Sequence, residues 1–208
     1  MNWKAAKTSI WLCLLFLVVY NSCNYITSLR HDVGTFYFAW ERHIPFVPIF
    51  IVPYMSIDLF FIVAPFICRD QIERTVLSRR ITAVILIAGV CFLLFPLRFA
   101  FDRPYASGWL GIVFNNFRQM DKPFNQCPSL HMALRTILAL LYVRRFSGVP
   151  RWSLRIWFSL IGFSTVLTYQ HHVIDIIAGL ALAVVCTYLF QDRPLRLPVV
   201  GNKRIGIY

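Results

Sequence analysis

The chain has 208 residues, of which 58% are hydrophobic and only 14% are charged. A soluble domain of this size carries about 25% charged residues, so the composition argues against an ordinary soluble domain and indicates a membrane protein. The formal net charge of +12 is interpreted as Lys and Arg flanking membrane spans, and not as a nucleic-acid-binding surface.

Six apolar segments are long enough to cross a bilayer, which takes about 20 residues of helix. The first has a basic start like a signal peptide, but no small-residue cleavage pattern follows it, which predicts an uncleaved span. We therefore expect an all-α, polytopic bundle of six transmembrane helices over residues 1–192, followed by a basic cytoplasmic tail over 193–208. The segments are Thr8–Ser28, Ile44–Cys68, Ile81–Phe99, Ser129–Phe146, Ser153–Tyr169 and His171–Phe190.

The distribution of Lys and Arg predicts the orientation of these spans. Fourteen of these residues lie on the side of the two termini, and six lie on the opposite side. By the positive-inside rule, both termini are cytoplasmic. The long connection 100–128 then lies on the outer face. Its segment Ser107–Phe117, rich in apolar and aromatic residues, predicts a short amphipathic helix in the membrane interface.

Ionisable residues within spans are candidates for function, because they cost several kcal/mol unless they are paired. Three such clusters are distant in sequence but reach the same predicted outer face. Cations there would bind an anion, while histidines would supply a nucleophile and a general acid. An anion held by arginines at a membrane surface suggests a lipid phosphate. The clusters are His131, then His171 with His172 and Asp175, then Arg98 with Arg103.

Two motifs and part of a third identify a resemblance. "PSLH", Pro128–His131, resembles the P-S-G-H motif of the type-2 phosphatidic acid phosphatase superfamily, which includes the vanadium haloperoxidases. "STVLTYQHHVID", Ser164–Asp175, resembles the third motif of that superfamily, S-R, five residues, H, three residues, D. The dipeptide Arg103–Pro104 matches the end of the first motif.

The sequence departs from the family pattern at several positions. Leu130 replaces the motif glycine, Thr165 stands at the motif arginine, and Pro96 occupies the motif lysine position. Together with the pattern His171 to Gly179, these departures resemble the inositol phosphorylceramide synthase-like branch, which includes phosphotransferases. They also remove two family cations, for which Arg98 and Arg135 are candidate replacements.

The resemblance implies a role for each matching residue. His171 would attack phosphorus and form a phosphohistidine, and Asp175 would orient its ring. His131 would protonate the leaving group. Arg103 and Ser129, with Arg98 and Arg135, would hold the phosphoryl oxygens. The family needs no metal and no cofactor for this reaction.

Other interpretations remain beside this one. His171 and Asp175 could form a purely structural pair, and His172 is expected to pack and not to react. Asp58, in the middle of a span, is expected to be structural, and Arg135 is divided between phosphate binding and a structural contact. The segment Trp40–Pro48 is interpreted as an interface anchor. A metal site is disfavoured because adjacent histidines on a helix diverge by about 100°.

The resulting expectation is an integral membrane enzyme that removes phosphate from a lipid phosphate or pyrophosphate on the periplasmic or outer face, with a bacterial inner membrane as the expected location. Its partners are the lipid substrate and the bilayer. Transfer of the phosphoryl headgroup to an alcohol is one alternative. A non-catalytic lipid-binding protein that retains the fold is another.

Overall fold

The computed structural model describes residues 2–191, and within this range it contains seven α-helices and no strand. The predicted basic tail, 193–208, lies outside the described residues. The helices are α1 (Trp3–Ser28), α2 (Ile51–Ile67), α3 (Gln71–Leu94), α4 (Gly108–Met120), α5 (Leu130–Arg145), α6 (Gly148–Leu167) and α7 (Val173–Leu189).

The all-α prediction is confirmed, and each of the six predicted segments overlaps one long helix. The largest difference is at α3, which begins ten residues before the predicted Ile81. Asp70 caps this helix by accepting the backbone N–H of Glu73 at 2.8 Å, as an N-cap carboxylate does. Arg74 lies in the first turns of this helix and is buried. Its guanidinium is paired there, since it donates to the carbonyl of Pro65 at 3.0 Å.

Prolines shape the segment that precedes α2. The predicted span begins at Ile44, but the helix begins only at Ile51. Residues 44–47 are not helical, and Pro48 opens a short 3-10 turn. This agrees with the conformations that proline allows, since it is tolerated in turns and in the first turn of a helix. Pro65 lies inside α2, near its end.

The core lies where α3 and α5 pack between the other long helices. From α3, the side chains of Ile81, Val84 and Ile85 are completely buried. They pack in one apolar cluster with Leu138 of α5 and Ile161 of α6. Apolar side chains also cover the outside of the bundle, where Trp11, Leu14 and Val18 of α1 are more than half exposed.

Within residues 2–191, three stretches are long and apolar enough to cross a membrane, namely Trp3–Ser28, Pro48–Ile67 and Gln71–Leu94. Helix Val173–Leu189 is also apolar but shorter. Together with the exposed apolar surface, these helices are consistent with a membrane protein.

Helix α4 coincides with the predicted amphipathic segment. Its Phe114 is fully buried against Ile51 and Tyr54 of α2, whereas its Trp109 and Ile112 are exposed. Gly111 permits the close approach of this helix to the preceding loop, since a Cβ there would collide with the carbonyl oxygen of Ala106.

Candidate active site

His171 lies in the sharp turn between α6 and α7. Tyr169, in this turn, has a positive φ of 57°, a conformation uncommon for a residue other than glycine. The backbone N–H of His171 donates to the carbonyl oxygen of Thr165 at 3.0 Å, and that of Gln170 donates to the same oxygen at 3.1 Å. Thr165, the residue at the family arginine position, thus fixes the turn through its backbone.

The relation of His171 to Asp175 differs from the prediction. The spacing predicts that both lie on one helical face, but α7 begins at Val173, so that His171 precedes the helix. The Nδ1 atom of His171 is 3.6 Å from Oδ2 of Asp175, too far for a hydrogen bond. The Asp175 carboxylate instead accepts the backbone N–H of His172 at 2.9 Å. Nδ1 of His171 is buried without a hydrogen-bond partner among residues 2–191.

His131 is placed at the start of α5 by the cap of that helix. The hydroxyl of Ser129 accepts the backbone N–H of Met132 at 3.2 Å, and the backbone N–H of Ser129 donates to the carbonyl of Asp175 at 2.9 Å. The N-terminal ends of α5 and α7 therefore meet. Gly179 allows this approach, because a Cβ at that position would collide with the carbonyl oxygen of Ser129.

The ring of His131 stacks on the ring of Tyr54 in α2, with centroids 4.1 Å apart and planes at 11°. This contact fixes the plane of the imidazole. Its Nε2 atom is buried, and the described part of the chain offers it no hydrogen-bond partner. The two histidines that are predicted to react thus each retain one buried and unsatisfied ring nitrogen, which is the kind of atom that a bound ligand can satisfy.

His131 and His171 line one cavity of about 260 Å³. The polar part of its wall includes both histidines, Tyr20, Asp121 and Asn125. The remainder is mostly apolar and comes from α1, α2, α5 and, through Phe117, α4. The further lining residues are Phe16, Leu17, Asn21, Tyr54, Met55, Ile57, Asp58, Phe61, Phe117, Leu130 and Leu134.

Arg103 lies beside this cavity and next to Asp121. Its Nη1 donates to the backbone carbonyl of Asp121 at 3.3 Å, and its Nε is buried with no partner in the range 2–191. The Asp121 carboxylate accepts the hydroxyl of Tyr20 at 2.6 Å. Burial raises the pKa of Asp121, although the Tyr20 hydrogen bond and the charges of Arg103 and His171 oppose that shift. Burial also disfavours the charged form of Arg103, and so it lowers the pKa of that residue.

The structure does not bring the other predicted cations to the cavity. Arg98 is exposed on the extended segment after α3. Arg135 donates from Nε to the carbonyl of Phe158 in α6 at 2.5 Å, which is a structural contact. Ser129 is fully buried and caps α5. Neither Lys nor Arg occurs among the described residues that line this cavity, so Arg103 is the predicted cation that lies nearest to it.

His172 has a separate environment in which both ring nitrogens are used. Nε2 accepts the backbone N–H of Ala100 at 3.0 Å, so the ring hydrogen is assigned to Nδ1, which lies 2.9 Å from Oε2 of Glu41. The ring also stacks on Phe99, with centroids 4.4 Å apart. The expectation that His172 packs agrees with this arrangement. The structure also groups no three metal-binding side chains within residues 2–191.

Glu41 is the residue near the site that sequence reasoning missed. It is 2% exposed, and its carboxylate accepts the backbone N–H groups of Phe38 at 2.9 Å and Val173 at 3.1 Å besides the ring of His172. The only signal in the sequence is an isolated acid in the segment "WERHIPF", which predicts no more than an interface anchor. Local sequence does not reveal a partner 131 residues away.

The fold and the site together define an all-α protein with one cavity that is lined by two histidines, each with an unsatisfied ring nitrogen, and by apolar side chains. Comparison with protein families then gives a match to the PAP2 superfamily over residues 27–189. This range contains both histidine motifs, and the chain belongs to that superfamily. No curated protein and no solved structure matches the chain.

Proposed function

We propose that this protein is an integral membrane phosphatase that removes phosphate from a lipid phosphate or pyrophosphate through a phosphohistidine on His171. Membership of the PAP2 superfamily supports phosphatase activity in general. The observation that supports a lipid substrate is the lining of the cavity, which includes apolar side chains of α1 and α2 besides the two histidines. We call this apolar part, with Phe16, Leu17 and Phe61, the apolar groove.

The groove reaches the outside of the bundle. Leu17 and Asn21 of α1 and Asp58 of α2 line the cavity and are also exposed. With α1 and α2 spanning a bilayer, this opening would face lipid, and an acyl chain would reach the groove laterally while its phosphate stays near the histidines. In the predicted orientation of six spans, the histidines lie at the outer end of the bundle, at the level of the headgroups.

The geometry around His171 suggests which ring nitrogen reacts. Its Nδ1 faces Asp175, and a shortening of that distance on substrate binding would place the ring hydrogen on Nδ1. Nε2 then carries the lone pair that forms the N–P bond while the P–O bond to the lipid breaks. His131 would donate a proton to the departing alkoxide, and would later take a proton from the water that hydrolyses the phosphohistidine.

The decisive experiment is phosphate release by purified protein in detergent, with phosphatidate, phosphatidylglycerol phosphate and a prenyl pyrophosphate as substrates. We expect His171→Ala to lower the rate by more than about 10⁴-fold, since a nucleophile has no substitute. His171→Ala should still unfold at the wild-type temperature. Phosphate release that persists in His171→Ala would refute the mechanism.

Phosphoryl transfer to an alcohol is a second candidate, favoured by the Asp121 carboxylate in the cavity wall. A carboxylate there could accept the proton of an acceptor hydroxyl. Lipid products that form only when a soluble alcohol is added, without free phosphate, would support transfer over hydrolysis.

A non-catalytic lipid-binding protein is favoured only by the scarcity of cations around the cavity. Vanadate separates this candidate from the enzymes, because it resembles the pentacoordinate transition state of phosphoryl transfer. A catalytic site should bind vanadate in the wild type and lose it in His171→Ala, whereas a folded protein that binds neither vanadate nor a lipid phosphate would contradict both enzymatic candidates.

A further inference from the structure

Asp58 is an acid without a partner in the middle of a membrane-type helix. It is exposed, and no hydrogen bond or charged partner acts on its carboxylate within residues 2–191. Its position is about 10 Å along α2 from Ile51, at 1.5 Å per residue. An ionisable side chain at such a depth costs several kcal/mol unless it is paired, and it usually marks a substrate path.

The cavity gives this carboxylate a defined position relative to the reacting groups. Asp58 follows Tyr54 by one helical turn, about 6 Å, on the same face of α2. Tyr54 in turn stacks on His131. The cavity that Asp58 lines is otherwise walled mostly by apolar side chains, among them Phe16 and Leu17. Asp58 therefore lies between the histidine end of the cavity and its apolar groove.

The second carboxylate of the cavity does not share this property. Asp121 already accepts the hydroxyl of Tyr20 and lies beside Arg103. Asp58 has no such donor, and the described lining residues include no Lys or Arg. A ligand in the groove that carries a hydrogen-bond donor could therefore pair with Asp58.

We propose that Asp58 determines substrate specificity by accepting a hydrogen bond from the lipid backbone, just below the phosphate ester. This inference rests on the proposed function for the position of the phosphate. The donor is an ammonium or hydroxyl group on the carbon next to the one that carries the phosphate. A diacylglycerol phosphate offers only ester oxygens there, and these leave an ionised carboxylate unpaired at a cost that selects against them.

Binding of non-hydrolysable probes tests this inference without catalysis. Three long-chain alkylphosphonates of equal length are compared, bearing an amino group, a hydroxyl group or only hydrogen at the position next to the phosphonate-bearing carbon. We expect wild type and His171→Ala to bind at least one donor-bearing probe about tenfold more tightly than the unsubstituted one, as a charge-assisted hydrogen bond allows. In Asp58→Leu this preference should disappear, and the unsubstituted probe should bind at least as tightly as it does to the wild type, because no carboxylate is then left unpaired.

Asp58→Asn distinguishes the two donors. An ammonium group requires the negative charge of Asp58, so the preference for the amino-bearing probe should be lost in Asp58→Asn as in Asp58→Leu. A hydroxyl group requires only an acceptor oxygen, so the preference for the hydroxyl-bearing probe should survive in Asp58→Asn. Leu59→Ala is the matched control, because Leu59 neighbours Asp58 on α2 and is 65% exposed but does not line the cavity.

Two outcomes would overturn the inference. One is equal affinity of the wild type for all three probes, and the other is an equal loss of all affinities in Asp58→Leu. Asp58→Leu should remain folded, since it replaces an acid on an apolar helix by an apolar residue. A preference that depends on Asp58, without phosphate release from any lipid, would contradict the proposed function alone.

Discussion

His171 and His172 are adjacent in sequence, yet their surroundings are opposite. Both ring nitrogens of His172 are engaged, by Glu41 and by the backbone of Ala100, and aromatic rings enclose it. The Nδ1 of His171 is buried and has no hydrogen bond within residues 2–191. His172 has no lone pair available for chemistry, whereas His171 lines the cavity and, in the proposed mechanism, uses the lone pair of its Nε2.

The comparison extends to the partners of each histidine. The hydrogen-bonding groups of Glu41 and of the His172 ring all have partners. These contacts join the connection between α1 and α2 to the start of α7 and hold the turn that contains His171. The region around His131 and His171 has unsatisfied nitrogens and an apolar groove. We infer that the first region supplies stability to the second, which retains its unsatisfied groups for a ligand.

The largest effect expected from this contrast concerns His131. His131→Gln should lower the rate of phosphate release from an alkyl lipid phosphate by about 10²–10⁴-fold, as loss of a general acid does. An aryl phosphate should be affected much less, because a phenolate leaves without a proton. The measurement is kcat on both substrates for wild type and variant. Equal losses on the two substrates would contradict the role of general acid.

Substitutions in the region around Glu41 and His172 should lower the stability of the protein more than its catalytic rate. Glu41→Ala leaves the N–H groups of Phe38 and Val173 and the ring of His172 without their acceptor, and breaking a buried pair of this kind costs about 3–5 kcal/mol. The melting temperature in detergent should fall accordingly. Because Glu41 and His172 share one interaction, the double variant Glu41→Ala, His172→Ala should lose less stability than the two single losses combined.

The control for Glu41 is Asp32, an acid of the same connection between α1 and α2, which pairs with Arg30 at 2.6 Å but whose side chain is 65% exposed. Asp32→Ala should leave the melting temperature nearly unchanged, since exposed ion pairs contribute little to stability. If Glu41→Ala proved as harmless as Asp32→Ala, the structural role of Glu41 and His172 would be wrong.

The parts that could be predicted from sequence depend on local patterns. Apolar runs predict the long helices. The register of Ser164, His171 and Asp175 in the family motif singles out His171 from His172, and its reaction stays a prediction. The start of α3 is harder to predict because its first turns are basic and resemble a connection, although Asp70 and Glu73 form an ordinary helix start.

The environment of the site was harder to predict, because it depends on contacts between distant segments. Arg135 lies one turn from His131 as expected, but the carbonyl of Phe158 attracts its guanidinium away from the cavity. Asp121 and Tyr20 meet across 101 residues, and no spacing rule indicates such a pair. The position of Arg98 likewise follows from pairing of its backbone with Gly34, which the sequence did not suggest.

The smallest expected effect concerns Asp121, the buried acid of the unsatisfied region. Its pKa is raised in the folded protein, so the folded state holds this proton more tightly than the unfolded state. The free energy of unfolding should therefore fall as the pH rises from about 4, the pKa of an unfolded Asp, through the raised pKa. Asp121→Asn should remove this dependence.

The measurement is the difference in melting temperature between Asp121→Asn and wild type across this pH range. The difference should move in favour of the variant as the pH rises and become constant above the folded pKa, because the wild type alone then holds a buried charge. A difference that moves in favour of the wild type would mean that Tyr20, Arg103 and His171 outweigh burial. Asp121 would then be a stabilised anion beside His171, and its carboxylate would be ionised and ready to accept a proton from an acceptor alcohol.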